Sequence, residues 1–187
     1  MNMEQNVIQK NMWNTASKAG LILGLASAAY MFVTRWTGLS GMPGFVSMLI
    51  NGALWCIKFV GCIWLMMFFM KKFAAENPES GNTITRRLGI SIAFLSALVY
   101  SAVCLADITF ISPEFYTDQI DQIVQQYASV LDSNTLNQID DVAGKLPYLT
   151  FFSNLIYCFM YGVVLSTILS RNIPNRNPFS DNTPDKQ

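Results

Sequence analysis

The chain has 187 residues, 52% of them hydrophobic and 13% charged, with twelve Lys+Arg against twelve Asp+Glu and no histidine. An average soluble domain carries about 25% charged residues, so this composition excludes a disordered chain. Zero net charge and a pI near 6.2 leave no electrostatic footprint for nucleic acid. Without histidine the chain lacks the commonest general base, the usual zinc and haem ligand, and the physiological pH switch.

In chain order, a polar leader containing Lys10 precedes a first apolar run at 16–36. Ala26-Ser27-Ala28 has the small-residue pattern of a signal cleavage site, but only Ala19 to Leu25 precede it as an apolar core. The run is therefore expected to remain as a membrane span. Within it Gly20, Gly24 and Ala28 recur at four-residue intervals, a spacing that lets helix backbones approach closely. Packing inside one bundle is the simpler use of that stripe; a homo-oligomer contact is the alternative.

A second run covers 45–70 with one charge, Lys58, and a third covers 88–111, uncharged until Asp107. A fourth covers 146–170 without a charge. A helix needs about 20 apolar residues to cross the hydrocarbon layer, so all four runs qualify. The fold class is an all-α integral membrane protein, with the lipid bilayer as its first partner.

Between the third and fourth spans lies an insert at 112–145. Ser112-Pro113-Glu114 reads as a helix start: a capping hydroxyl, a first-turn proline, and an acid at the positive end of the helix dipole. Ile120, Ile123, Val124, Tyr127, Val130 and Leu131 then follow helical spacing. Asp132 to Asn134 break the pattern, Thr135 with Gln138 forms a capping box, and Leu136, Ile139, Val142, Ala143 and Leu146 share a second face. Two amphipathic helices forming a hairpin are expected, with Pro147 opening the fourth span. The insert holds six acids and one base, Lys145, so its polar face suits a protein partner better than anionic lipid. The stretch 172–187 contains three prolines and reads as a flexible tail.

The basic residues sort by side. Lys10, Lys18, Lys71, Lys72, Arg86, Arg87, Arg171, Arg176 and Lys186 share one face of the membrane; Arg35 and Lys145 occupy the other. Positive charge favours the cytoplasmic side, so both termini are expected in the cytoplasm of a cell inner membrane. The insert then faces outward.

Lys58 is the sharpest candidate for function, because a mid-span lysine costs about 2.5–3.5 kcal/mol on an insertion scale. Snorkelling or simple pairing is the plainer account. Asn51 lies on the same helical face. Asp107, Tyr100, Cys104 and Ser96 share a face of the third span, and Asn154 lies at helical spacing from Thr150, Tyr157 and Tyr161 in the fourth. Lys58, Asn51, Asp107, Asn154 and Tyr100 are therefore expected to form an intramembrane polar cluster. Helical rise puts Asp107 about 11 Å nearer the outer surface than Lys58, so their direct pairing needs an offset or a bridging water. Cys56, Cys62, Cys104 and Cys158 all lie in spans without a Cys-x-x-Cys, which reads as packing material. No metal-ligand cluster, cofactor motif or catalytic pair emerges, so no cofactor and no enzymatic activity are expected.

Several local patterns carry a family resemblance: Gly20 and Gly24 in the first span; Lys71-Lys72-Phe73 through Glu76-Asn77, Gly81, Arg87 and Gly89; Ser112-Pro113-Glu114-Phe115-Tyr116; Ile168-Leu169-Ser170-Arg171; and Asn177-Pro178-Phe179. From about Trp13 to Phe179 the layout resembles a Bacteroidetes-type bacterial family of four-span membrane proteins classed as a domain of unknown function. The resemblance implies an inner-membrane location and no reaction. Two uses remain in view: an accessory module that engages a partner through the acidic insert, or a transporter or channel component using Lys58.

Overall fold

The computed structural model describes residues 3–39, 44–77, 82–127 and 133–173. Helix α1 spans Met3–Leu39, α2 Gly44–Glu76 and α3 Asn82–Ala106, the last continuing as a π-helical turn over Asp107–Ile111. Helix α4 spans Pro113–Tyr127 and α5 Ser133–Arg171. Among the described residues there is no strand. Four segments, Val7–Trp36, Met48–Glu76, Asn82–Ile111 and Val142–Arg171, are long and apolar enough to cross a membrane, marking the chain as a multi-pass membrane protein.

Helix α3 is the axis of the bundle, packing along both α1 and α5, while α2 leans mainly on α1. The reason is a row of small residues. Gly89, Ala93, Ala97 and Ser101 recur every four positions on α3, and all are buried. The hydrogen of Gly162 on α5 faces the Ala93 side chain, and Gly89 faces Ser166. On the other flank, a Cβ at Gly20 would lie 2.6 Å from the Leu95 Cβ, and one at Gly24 would lie 2.7 Å from the Val99 Cβ. Lipid tails are as apolar as leucine, so close van der Waals packing of this kind, not water exclusion, holds membrane helices together. Gly20 and Gly24 are thus spent on α3 of the same chain, and Ala28 is buried one turn further on.

At the end carrying the α2–α3 connection the four spans close on a larger-residue core. Leu23 from α1, Met66, Met70 and Phe73 from α2, Leu88 and Ile92 from α3, and Leu169 from α5 meet there. The outward faces of α2 and α5 expose Trp55, Val60 and Trp64, and Phe152, Ile156 and Val164. In a bilayer these side chains lie in hydrocarbon.

Two boundaries differ from expectation, and a third agrees. The polar leader is not separate from the first span: α1 begins at Met3, and Ile8 and Met12 pack against the buried core. Second, Pro147 does not open the fourth span but lies inside α5. The second helix expected in the insert and the fourth span are one continuous helix. Proline removes a single i→i−4 bond, here to the Ala143 carbonyl, and α5 runs on past it. Third, α4 is present and starts at Pro113 as expected. The break at Asp132, the side chains of the Thr135/Gln138 capping box, and the tail beyond Ile173 lie outside the described residues.

Candidate functional site

Two polar constellations occur inside the bundle, at different depths. The first is built on Arg35, in the last turns of α1. Its guanidinium grips the Asp107 carboxylate with both nitrogens, Nη1 donating to Oδ1 at 2.9 Å and Nη2 donating to Oδ2. Nη1 also donates to Ser112 Oγ at 3.0 Å, and Nη2 to the Tyr116 hydroxyl at 2.7 Å. Tyr116 in turn donates its proton to Asp107 Oδ2 at 2.8 Å, closing a ring of three side chains. The rings of Phe115 and Tyr116 lie 4.7 and 5.2 Å from the guanidinium carbon, within cation–π range.

Asp107 is fully buried and the Arg35 side chain 14% exposed, so this is an ion pair taken out of solvent. Such pairs persist where the geometry is bidentate and the remaining lone pairs are satisfied, as they are here. The π-helical turn contributes directly. Ser112 donates its backbone N–H to the Asp107 carbonyl at 2.8 Å, an i→i+5 bond that ends α3 and turns the chain into α4. Burial first, and then the hydrogen bond to Asp107, pushes the Tyr116 phenol up to about 12. It therefore stays protonated and keeps donating at any physiological pH.

The second constellation surrounds Lys58. Its ammonium lies 4.6 Å from the Tyr30 ring centre and 5.3 Å from that of Tyr100. Among the described residues no carboxylate lies within ion-pair distance of it. Beside it is a cavity of about 180 Å³ to which all four spans contribute: Ser27 from α1, Lys58 and Phe59 from α2, Ala97 and Tyr100 from α3, and Tyr157 from α5 among them. Two cation–π contacts at about 0.5–2 kcal/mol each offset much of the cost of a mid-span ammonium.

The expected five-residue cluster therefore divides. Lys58 and Tyr100 are together at the cavity, whereas Asp107 belongs to Arg35. Asn51 and Asn154 are both half-buried but lie outside the cavity lining. The physical reason is depth: Arg35 and Asp107 end their spans at the same level, and Asp107 is about two helical turns removed from Lys58.

Arg35 is absent from the cluster expected from the sequence, where it served only to set sidedness. Its signal was present in Ser112-Pro113-Glu114-Phe115-Tyr116, where Ser112, Phe115 and Tyr116 all contact the one guanidinium. Among the described residues no group of three or more Cys, Asp or Glu side chains is placed to hold a metal. The four cysteines are free thiols, with Cys104 Sγ resting 3.5 Å from Met31 Sδ.

No curated protein and no solved structure matches the chain. A family model does match, over residues 18–171, which takes in most of the first span, the other three and both constellations. The chain belongs to the family described as proteins of unknown function, DUF4199.

Proposed function

We propose that the chain is a non-enzymatic accessory module of a bacterial inner membrane, both termini cytoplasmic, whose helix α4 offers an acidic face to a protein partner outside the membrane. The observation that carries this reading is the anchoring of α4 through Phe115 and Tyr116 on Arg35. At 100° per residue, Glu114, Asp118 and Asp121 fall on the side of α4 opposite Tyr116, and all three are exposed. A rigidly held helix with one acidic face suits a basic protein surface, since little conformational freedom is lost on docking. The distribution of nine basic residues against two supports the sidedness.

The test is a photo-cross-linking amino acid at Gln122, an exposed position beside that face. In native membranes a discrete protein adduct is expected, and it should disappear in the combined variant Glu114→Lys, Asp118→Lys, Asp121→Lys. An adduct pattern unchanged by charge reversal, or no adduct at all, overturns the reading. A second use, as a small transporter or channel component, is favoured by one observation, the cavity beside Lys58. It requires solute flux in proteoliposomes that Lys58→Met abolishes.

A further inference from the structure

The cavity beside Lys58 has a definite polarity along its length. On α3 its lining runs from Tyr100 to Ala93, and on α5 from Tyr157 to Leu165. Helical rise places those ends about 10–12 Å apart. Lys58 and Tyr100 stand at one end, while Leu23, Met66 and Leu165 close the other. The site is thus a slot with a cation at its head and an apolar floor.

Its mouth faces sideways. The lining residues that retain exposure are on α2 and α5: Trp55 is 56% exposed and Tyr157 74%, with Phe59 and Tyr161 less so. These two helices touch little, and the tilted Phe59–Tyr161 ring pair, 5.8 Å between centres, bridges them. Lys58 lies ten residues into the Met48–Glu76 span, about 15 Å by helical rise. An opening there meets hydrocarbon, so the occupant arrives from the bilayer and not from water.

We propose that this slot binds a single-chain carboxylic acid, a free fatty acid or a compound of that shape, with its carboxylate on Lys58 and its chain toward Leu165. Three features choose this class. A volume of about 180 Å³ suits one slender chain and excludes the two chains of a phospholipid. The depth of Lys58 excludes a head group that must stay at the interface. A carboxylic acid sheds its charge by protonation, with an ordinary pKa near 4–5, and so enters hydrocarbon; a phosphodiester cannot. Once seated, the acid returns to solvent the proton it took up on entry, and its carboxylate supplies the counter-ion that no described side chain gives Lys58. The site is independent of the α4 reading and implies binding, not flux.

The test uses the full chain in detergent with a diazirine-bearing decanoic acid as photolabel. Competition is measured with unlabelled decanoic acid, decanol and decyl phosphate, and the adducts are mapped by mass spectrometry. Labelling is expected on α2 and α5 around Phe59, Tyr157 and Tyr161. Decanoic acid should compete at least about ten-fold better than decanol, because a charge-assisted hydrogen-bonded pair is worth more than a hydroxyl contact. Lys58→Met should remove that preference and Lys58→Arg should keep it. Cys158→Phe, which fills the slot, should abolish labelling with Lys58 intact. Equal competition by decanol overturns the proposal even if Lys58→Met fails to fold. Equal competition by decyl phosphate overturns the choice of carboxylate, and labelling confined to the lipid-facing side of α2 overturns the site.

Discussion

Arg35 and Tyr116 stand 81 positions apart in the chain, yet the Nη2 of one is 2.7 Å from the hydroxyl of the other. That bond ties the C-terminal end of α1 to α4, while Asp107 ties both to the end of α3. Three elements that meet at one edge of the bundle are held by one guanidinium.

Removing that guanidinium leaves the Asp107 carboxylate buried without a counter-ion. Arg35→Met is expected to destabilise the protein by about 3–5 kcal/mol, the cost of breaking a buried pair from one side. The double variant Arg35→Met, Asp107→Leu should recover most of that loss, since an apolar replacement of both partners leaves nothing unpaired. Arg35→Lys should fall between, because a single ammonium cannot serve Asp107, Ser112 and Tyr116 with the same fork. Thermal unfolding in detergent gives the comparison. Equal stability of wild type and Arg35→Met would sink the account of the cluster.

Tyr116 gives the cluster an alkaline limit. Its phenol titrates near 12 in the folded protein against about 10 in an unfolded chain. The native state therefore holds a proton that the unfolded state releases first, and stability falls as pH rises through that window. Its full contribution is present below pH 10. Tyr116→Phe lacks the group, so the stability difference between wild type and variant should be constant up to about pH 10 and shrink toward pH 12. The lysine titrations common to both chains cancel in that difference. A difference that stays flat across the range would show that the phenol bears no native hydrogen bond to Asp107.

Sidedness is open to direct measurement. In a chain with the four native cysteines replaced by alanine, Thr117→Cys should react with a membrane-impermeant maleimide applied to intact cells. Asn77→Cys should react only after the membrane is opened. The prediction follows from nine basic residues on the Asn77 side against two on the Thr117 side. The reverse pattern of labelling would invert the topology, and with it the partner side of α4.

Most of the architecture could be read from the order of residues because membrane spans are set by one local quantity, the length of an apolar run. All four runs became helices, and the helix start at Pro113 was visible in its capping chemistry. The pairing of Arg35 with Asp107 was not visible, because counting charges by side treats a base at a span end as loop material. Only the adjacency of α1 and α3 brings the two together. That adjacency was half-written in Gly20 and Gly24; the matching row Gly89, Ala93, Ala97 and Ser101 on α3 was the missing half. Pro147 misled for a different reason. It removes only one backbone hydrogen bond, to the Ala143 carbonyl, and the helix-compatible residues on both sides carry α5 across it.

The glycines make the packing argument quantitative, since some sit against a neighbour and others do not. At Gly24 an added Cβ would meet Val99 Cβ at 2.7 Å and the backbone carbonyl of Ser96 at 3.0 Å. At Gly52 and Gly61, on α2, nothing lies within 4 Å. Gly24→Ala must push α1 off α3, and a cost of about 1–3 kcal/mol is expected, as for other overpacked interiors. Gly52→Ala and Gly61→Ala meet no atom and gain helix propensity, so they should be neutral or stabilising by up to about 1 kcal/mol. The same substitution on the same residue type thus changes sign with the helix that carries it. Unfolding temperatures of the three variants in one detergent decide the matter. If Gly24→Ala matches Gly52→Ala, the close approach of α1 to α3 is not what holds the bundle.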